Sequence, residues 1–183
     1  MSVLLGCTGS VASIKVPAMA AALKDAGLQV RVVATESALH FFKQEDLPQG
    51  VALLRDSDEW RTWGSMGDPV LHIELRKQSD LLLLAPLDAN TLAKVSQGLC
   101  DNLLTCVARC WDYKEKPVVL APSMNTLMWQ HPVTAPQLDT LRSWGAHVLP
   151  PVSKTLACGD TGVGAMHEWS DIVLFVKKAL LIA

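Results

Sequence analysis

The chain has 183 residues, half of them hydrophobic, with a formal net charge of −2 and a mean hydropathy of +0.24. That length suits one domain with a single substantial core, and so small a charge excludes a general attraction to nucleic acid or anionic membrane. The hydropathy is high for a soluble domain standing alone, so either the core is fully enclosed or apolar surface is buried between subunits. No apolar run approaches the roughly 20 residues that cross a bilayer; a run such as Leu81 to Ala85 is far shorter. Leu4-Leu5-Gly6-Cys7 has the form of a lipoprotein box, but no basic region or apolar stretch precedes it, so a signal peptide is rejected. Cys7, Cys100, Cys106, Cys110 and Cys158 are irregularly spaced and include no Cys-x-x-Cys. They read as reduced thiols of a cytoplasmic protein. The histidines show no ligand spacing, so no metal site is expected.

In chain order, Val3 to Gly6 reads as a short buried strand running into Thr8-Gly9-Ser10. A helix follows, carrying Val11, Ile14, Ala18, Ala21, Ala22 and Leu23, with Pro17 implying either a kink or a late start. Gly27 ends it, Gln29 to Ala34 is the next strand, and Thr35-Glu36-Ser37 opens a short helix reaching Phe41 or Phe42. Val70 to Leu75 alternates in the manner of a strand. Leu81 to Ala85 is a strand ending at Pro86, Asn90 starts a helix, and residues 100–112 form another. Pro117 to Ala121 is a strand ending at Pro122, with a helix after Asn125. Residues 136–144 are helical up to Gly145, Ala146 to Leu149 is a strand, and Ser170 to Leu181 is a closing helix. Continuous apolar strands alternating with helices specify an α/β fold: a three-layer, doubly wound parallel sheet of Rossmann-like or flavodoxin-like type. Without repeats, low-complexity tracts or linkers, residues 1–183 read as a single domain.

Ligands of such sheets bind beyond the carboxyl ends of the strands. Three of those ends carry small polar residues at helix starts: Thr8-Gly9-Ser10, Thr35-Glu36-Ser37 and Asp88-Ala89-Asn90-Thr91. Each turn either only caps its helix or offers N–H groups to a phosphate. Three on one edge favour a phosphate-bearing ligand. The acidic Glu36 and Asp88 favour one phosphate over several, and neither a dinucleotide fingerprint nor a P-loop is present.

Three residues could carry chemistry. Read on a strand, His72 shares the less apolar face with Glu74 and is either structural or a base. Asn125, in Pro122-Ser123-Met124-Asn125-Thr126-Leu127-Met128-Trp129, either caps a helix or holds a carboxylate through an uncharged amide. The latter suits expulsion of CO₂, because a firm ion pair would stabilise the ground state. Cys158, in the loop-like Cys158-Gly159-Asp160-Thr161-Gly162-Val163-Gly164, is either an incidental thiol or a proton donor on a mobile lid.

Taken together, these stretches resemble the phosphopantothenoylcysteine decarboxylases, single-domain members of the flavin-binding cysteine decarboxylase family. Thr8-Gly9-Ser10-Val11-Ala12, Asp68 to Leu75, Ala85 to Thr91, Asp101 to Thr105, Pro122 to Trp129 and Leu156 to Asp160 carry the resemblance, which extends from about Val3 to Met166. It implies FMN at Gly9, Ser10, Val11, Thr35, Ser37, Asp88, Ala89, Asn90, Thr91 and Ser123. It implies His72 and Cys158 as catalytic acid–base groups, and substrate contacts at Asn125, Met128 and Ala157. The implied reaction converts 4′-phosphopantothenoylcysteine into 4′-phosphopantetheine in coenzyme A synthesis, in a homotrimer with active sites between subunits. Two positions depart from the family pattern. Asp88 stands where serine is common, and Thr155 stands where the plant enzymes carry a basic residue, with Lys154 adjacent. A peptidyl-cysteine decarboxylase and a phosphatase-inhibiting regulatory subunit are the competing functions. A flavin prenyltransferase fits less well, because it lacks the combination of His72 with the Asn125 motif.

Overall fold

The computed structural model describes residues 1–155, 159 and 161–182, the side chains of 181 and 182 excepted. Six strands form a parallel sheet: β1 (Ser2–Cys7), β2 (Gln29–Ala34), β3 (Ala52–Leu54), β4 (Leu81–Leu87), β5 (Val118–Pro122) and β6 (His147–Val148). Their order is β3-β2-β1-β4-β5-β6, so the direction of winding reverses between β1 and β4. The expected doubly wound architecture is therefore present.

The burial pattern explains why these strands read as unbroken apolar runs. Val3, Leu5 and Cys7 of β1 pack under α1 (Val16–Asp25) and α8 (Trp169–Ile182). Leu4 points to the opposite face. That face is covered by α3 (Leu71–Lys77), α4 (Ala89–Gln97), α5 (Leu103–Cys110) and α7 (Thr134–Trp144). In β4, Leu81 and Leu83 enter one core, and Leu82 and Leu84 the other. All four are fully buried, and each such leucine contributes roughly 1.5–3 kcal/mol relative to exposure. The Ala85–Pro86 bond is cis, and the register against β5 shifts between Leu84 and Leu87, which returns Leu87 to the face of Leu84. The sheet and α5 meet closely at Gly6, where a Cβ would lie 2.4 Å from Leu104 Cδ1 and 2.7 Å from Leu84 Cδ2.

Pro17 marks a late helix start rather than a kink. A 3₁₀ turn at Val11–Lys15 precedes α1, and Pro17 lies in the first turn of α1, where its missing N–H costs nothing. Thr35 to Phe42 holds only a 3₁₀ turn, Ala38–His40. Among the described residues, no helix is long and apolar enough to cross a membrane.

Two expectations are corrected. Val70 to Leu75 is not a strand: Leu71–Lys77 is helix α3. The alternation of Leu71, Ile73 and Leu75 is equally compatible with a helix that buries Leu75 against α5. Glu74 and Lys77 pair across one turn of it, and Arg76 and Lys77 complement its C-terminal dipole. The glycine-rich stretch is also not loop throughout, since β8 (Thr161–Ala165) pairs antiparallel with β7 (Val152–Thr155). Its glycines permit close approach. A Cβ on Gly162 would lie 2.5 Å from Thr126 Oγ1, and one on Gly164 2.2 Å from the Met124 carbonyl oxygen. The hairpin is pinned there by the Met124 N–H donating to the Gly164 carbonyl at 2.9 Å. Strand β3 is only three residues long, and helix α2 (Asp56–Thr62) carries a single apolar residue, Trp60, so neither stands out in the sequence.

Candidate active site

The carboxyl ends of β2, β1, β4 and β5 lie side by side, and short polar bonds fix the turns that leave them. Thr8, buried after β1, donates its hydroxyl to the Pro86 carbonyl at 2.9 Å and accepts the Asp88 N–H at 2.8 Å. Asp88 caps α4 by accepting the Thr91 N–H at 2.7 Å, while its other oxygen accepts the Gly9 N–H at 3.1 Å. Asp88 thus ties the first turn to the third. Ser10 Oγ and Ser123 Oγ are 2.9 Å apart, joining the β1 and β5 turns. Gly9 is required by its neighbour, because a Cβ there would lie 2.6 Å from Ser37 Cβ. At the end of β2, Thr35 Oγ1 is buried without a hydrogen-bond partner among the described residues. A buried hydroxyl in that state calls for a polar ligand atom.

Beyond these turns opens a cleft of about 530 Å³. Gly9, Ser10, Val11, Asp88, Ala89, Ser123, Asn125 and Met128 line it. Thr35 and Ser37 are outside the lining, with Ser37 packed against Gly9, and Asn90 and Thr91 belong to the first turn of α4. Asn125 caps α6 (Thr126–Trp129), its Oδ1 accepting the Leu127 N–H at 2.8 Å, and it also lines the cleft. A capping bond and a place in the cleft lining therefore coexist at this residue. Ala157 and Cys158 lie outside the described residues.

His72 is not in the cleft lining. It sits in the first turn of α3, with Nδ1 2.7 Å from Glu59 Oε1, and its backbone N–H donates to Glu59 Oε2 at 3.2 Å. Nearby, burial pushes the Cys106 thiol up to about 11 and also raises Cys110, so both are neutral at physiological pH. Burial raises Cys7 as well.

The sequence did not single out Lys15, Met166, His167, Glu168 and Trp169, which complete the cleft. Glu168 forms an ion pair with Lys154, which holds its carboxyl below the usual range. His167 Nδ1 is 3.0 Å from the Pro150 carbonyl. Met166, His167 and Glu168 precede α8 in a segment with no periodicity to mark it; only the charged Glu168 just ahead of an apolar helix was a visible signal.

The flavoprotein family profile matches residues 1–181. The mouse phosphopantothenoylcysteine decarboxylase is 54% identical over 179 residues, covering 97% of this chain and 86% of that protein. The chain belongs to the flavoprotein family. Solved structures of relatives superpose on this flavoprotein closely. A mutant PPC decarboxylase complexed with pantothenoylaminoethenethiol matches with a TM-score of 0.93 at 51% identity, covering 96% of each chain. The FMN-binding protein AtHal3 matches with a TM-score of 0.90 at 51% identity, over 96% of this chain and 94% of that one.

Proposed function

We propose that this chain catalyses the FMN-dependent decarboxylation of 4′-phosphopantothenoylcysteine to 4′-phosphopantetheine in coenzyme A biosynthesis. The observation that carries the reading is the near-complete superposition on a PPC decarboxylase in complex with an enethiol. One feature of the rim suits the cofactor independently: the unpartnered buried hydroxyl of Thr35. Gly9, Ser10, Val11, Thr35, Ser37, Asp88, Ala89, Asn90, Thr91 and Ser123 would hold it. Bound there, FMN would supply reversible two-electron chemistry, so that the carbon bearing the substrate's sulfur can be oxidised before CO₂ leaves and reduced again afterwards.

The chain's own residues supply the rest. His72 accepts the proton of the substrate thiol as the carbon is oxidised to the thioaldehyde level. Asn125 positions the carboxylate with an amide instead of a cation, so the leaving group is oriented without being stabilised as an ion pair. Met128 and Ala157 flank the substrate. Cys158 donates the proton that converts the enethiol into the saturated thiol. In the cleft lining, Lys15 supplies positive charge suited to the substrate phosphate, whereas the charge of Lys154 is balanced by Glu168.

We further infer a homotrimer in which His72 serves a neighbouring subunit's cleft. His72 lies away from its own cleft. Beside it, Trp60 is 77% and Met66 93% exposed, and Trp63 is also exposed. Apolar surface of this kind marks an interface. A cytoplasmic setting is supported by Cys7, Cys100, Cys106 and Cys110, all free thiols.

The test is to incubate FMN-loaded protein with phosphopantothenoylcysteine and, separately, with a peptide ending in cysteine, while size-exclusion chromatography reports assembly. Conversion of the first substrate by a trimer is the expected result. CO₂ released from the peptide alone would overturn the substrate assignment, and a fully active monomer would overturn the shared site.

A further inference from the structure

Glu59 holds His72 with both oxygens of one carboxylate. Oε1 lies 2.7 Å from Nδ1, and Oε2 accepts the His72 backbone N–H at 3.2 Å. The contact joins two helices. Glu59 is on α2, which is anchored to the start of α5 by Asp56 Oδ1 accepting the Leu103 N–H at 2.9 Å. Helix α3 has no side-chain cap of its own at Val70, so the Glu59 carboxylate serves one of its orphan N–H groups. The pair is largely enclosed, with side chains 15% exposed for Glu59 and 25% for His72. Titratable groups close to it are Cys106 and Cys110 of α5, both neutral thiols at physiological pH, with Arg76 of α3 next to Cys110.

A carboxylate is only an acceptor, so the imidazole must carry a proton on Nδ1. In the neutral ring this leaves the Nε2 lone pair open. No described residue bonds Nε2. We propose that Glu59 is the positioning residue of His72, fixing the tautomer and ring orientation that make Nε2 the proton acceptor. The proposal rests on the reading of His72 as the base. The transfer it prepares is of a proton alone: the substrate's S–H bond breaks, an Nε2–H bond forms, and the Glu59 carboxylate balances the imidazolium charge.

The geometry makes Glu59→Gln an informative variant. A backbone N–H can only donate, so the single amide oxygen must face it. The amide NH₂ then faces Nδ1 and needs a lone pair there, which moves the ring proton to Nε2 and blocks it as a base. The number of hydrogen bonds is unchanged, so fold and flavin retention should persist. The expected result is a fall in kcat of roughly 10²–10⁴-fold. It should come with unchanged FMN content and melting temperature, and with the His72 proton on Nε2 by NMR of isotope-labelled histidine. Glu74→Gln on the same helix should turn over normally. A Glu59→Gln enzyme with the wild-type rate would overturn the proposal. So would a wild-type His72 found protonated on Nε2 alone, a measurement that stands even if the variant does not fold. Full activity in His72→Asn would instead remove the underlying base assignment, so the two failures are distinguishable.

Discussion

The strand-end rim and the α2–α3 pair are built on opposite plans. At the rim, functional groups are backbone and short side chains clamped by the sheet. Thr8 and Ser123 are buried, Asp88 bonds two turns at once, and Gly9 is fitted against Ser37. The α2–α3 pair is peripheral: its polar contacts are ion pairs and carboxylate caps, and Trp60, Trp63 and Met66 face outward. The difference teaches that, with the flavin placed as proposed, its recognition is a property of the folded sheet. In the proposed mechanism, proton handling falls to a peripheral arm that would acquire a substrate only when another surface is brought to it.

This contrast can be broken most severely at Gly9. Gly9→Val should abolish flavin retention, because even a Cβ would collide with Ser37 and displace the turn; an undiminished yellow spectrum in that variant would show that the Gly9 turn is not part of the cofactor site. Next, His72→Asn should keep the flavin but lower turnover by roughly 10²–10⁴-fold, measured as CO₂ release. Loss of flavin in that variant would erase the separation between the two regions. Asp88→Ala should then cost about 1–2 kcal/mol in urea unfolding, since it removes the α4 cap and the bond to Gly9. Asp88→Ser should cost less, because serine can still cap. The smallest effect concerns Cys106. With its thiol pushed up to about 11, little thiolate exists at neutral pH, so its alkylation should be slower than that of exposed Cys100 and should accelerate as pH rises towards that value. Equal rates near neutrality would show Cys106 to be less sheltered than its packing indicates.

The rim was legible in the sequence because its signals are local. An apolar strand followed by Thr8-Gly9-Ser10 or Asp88-Ala89-Asn90-Thr91 encodes both the strand end and the turn. Buried strands and capped helices leave the same kind of trace, which is why β1, β2, β4 and β5 were placed closely. The α2–α3 arm was not legible. Leu71, Ile73 and Leu75 satisfy a strand pattern as well as a helical one over so short a stretch, and tertiary packing on α5 decides between them. Glu59 was invisible for a related reason. Its partner lies thirteen residues away on another helix, and nothing in the spacing predicts that contact. The β7–β8 hairpin was missed because Gly162 and Gly164 read as loop residues, whereas they allow backbone to approach Thr126 and Met124.

The most direct test of the central claim, that the rim lends its substrate an electron reservoir and takes it back, is one anaerobic experiment. FMN-loaded protein is mixed with carboxyl-labelled phosphopantothenoylcysteine while labelled CO₂ and flavin absorbance are followed together. The account requires release of the label and a flavin that ends fully oxidised, with no external electron acceptor consumed. Label retained in the substrate, or flavin left reduced in proportion to CO₂ released, would contradict it.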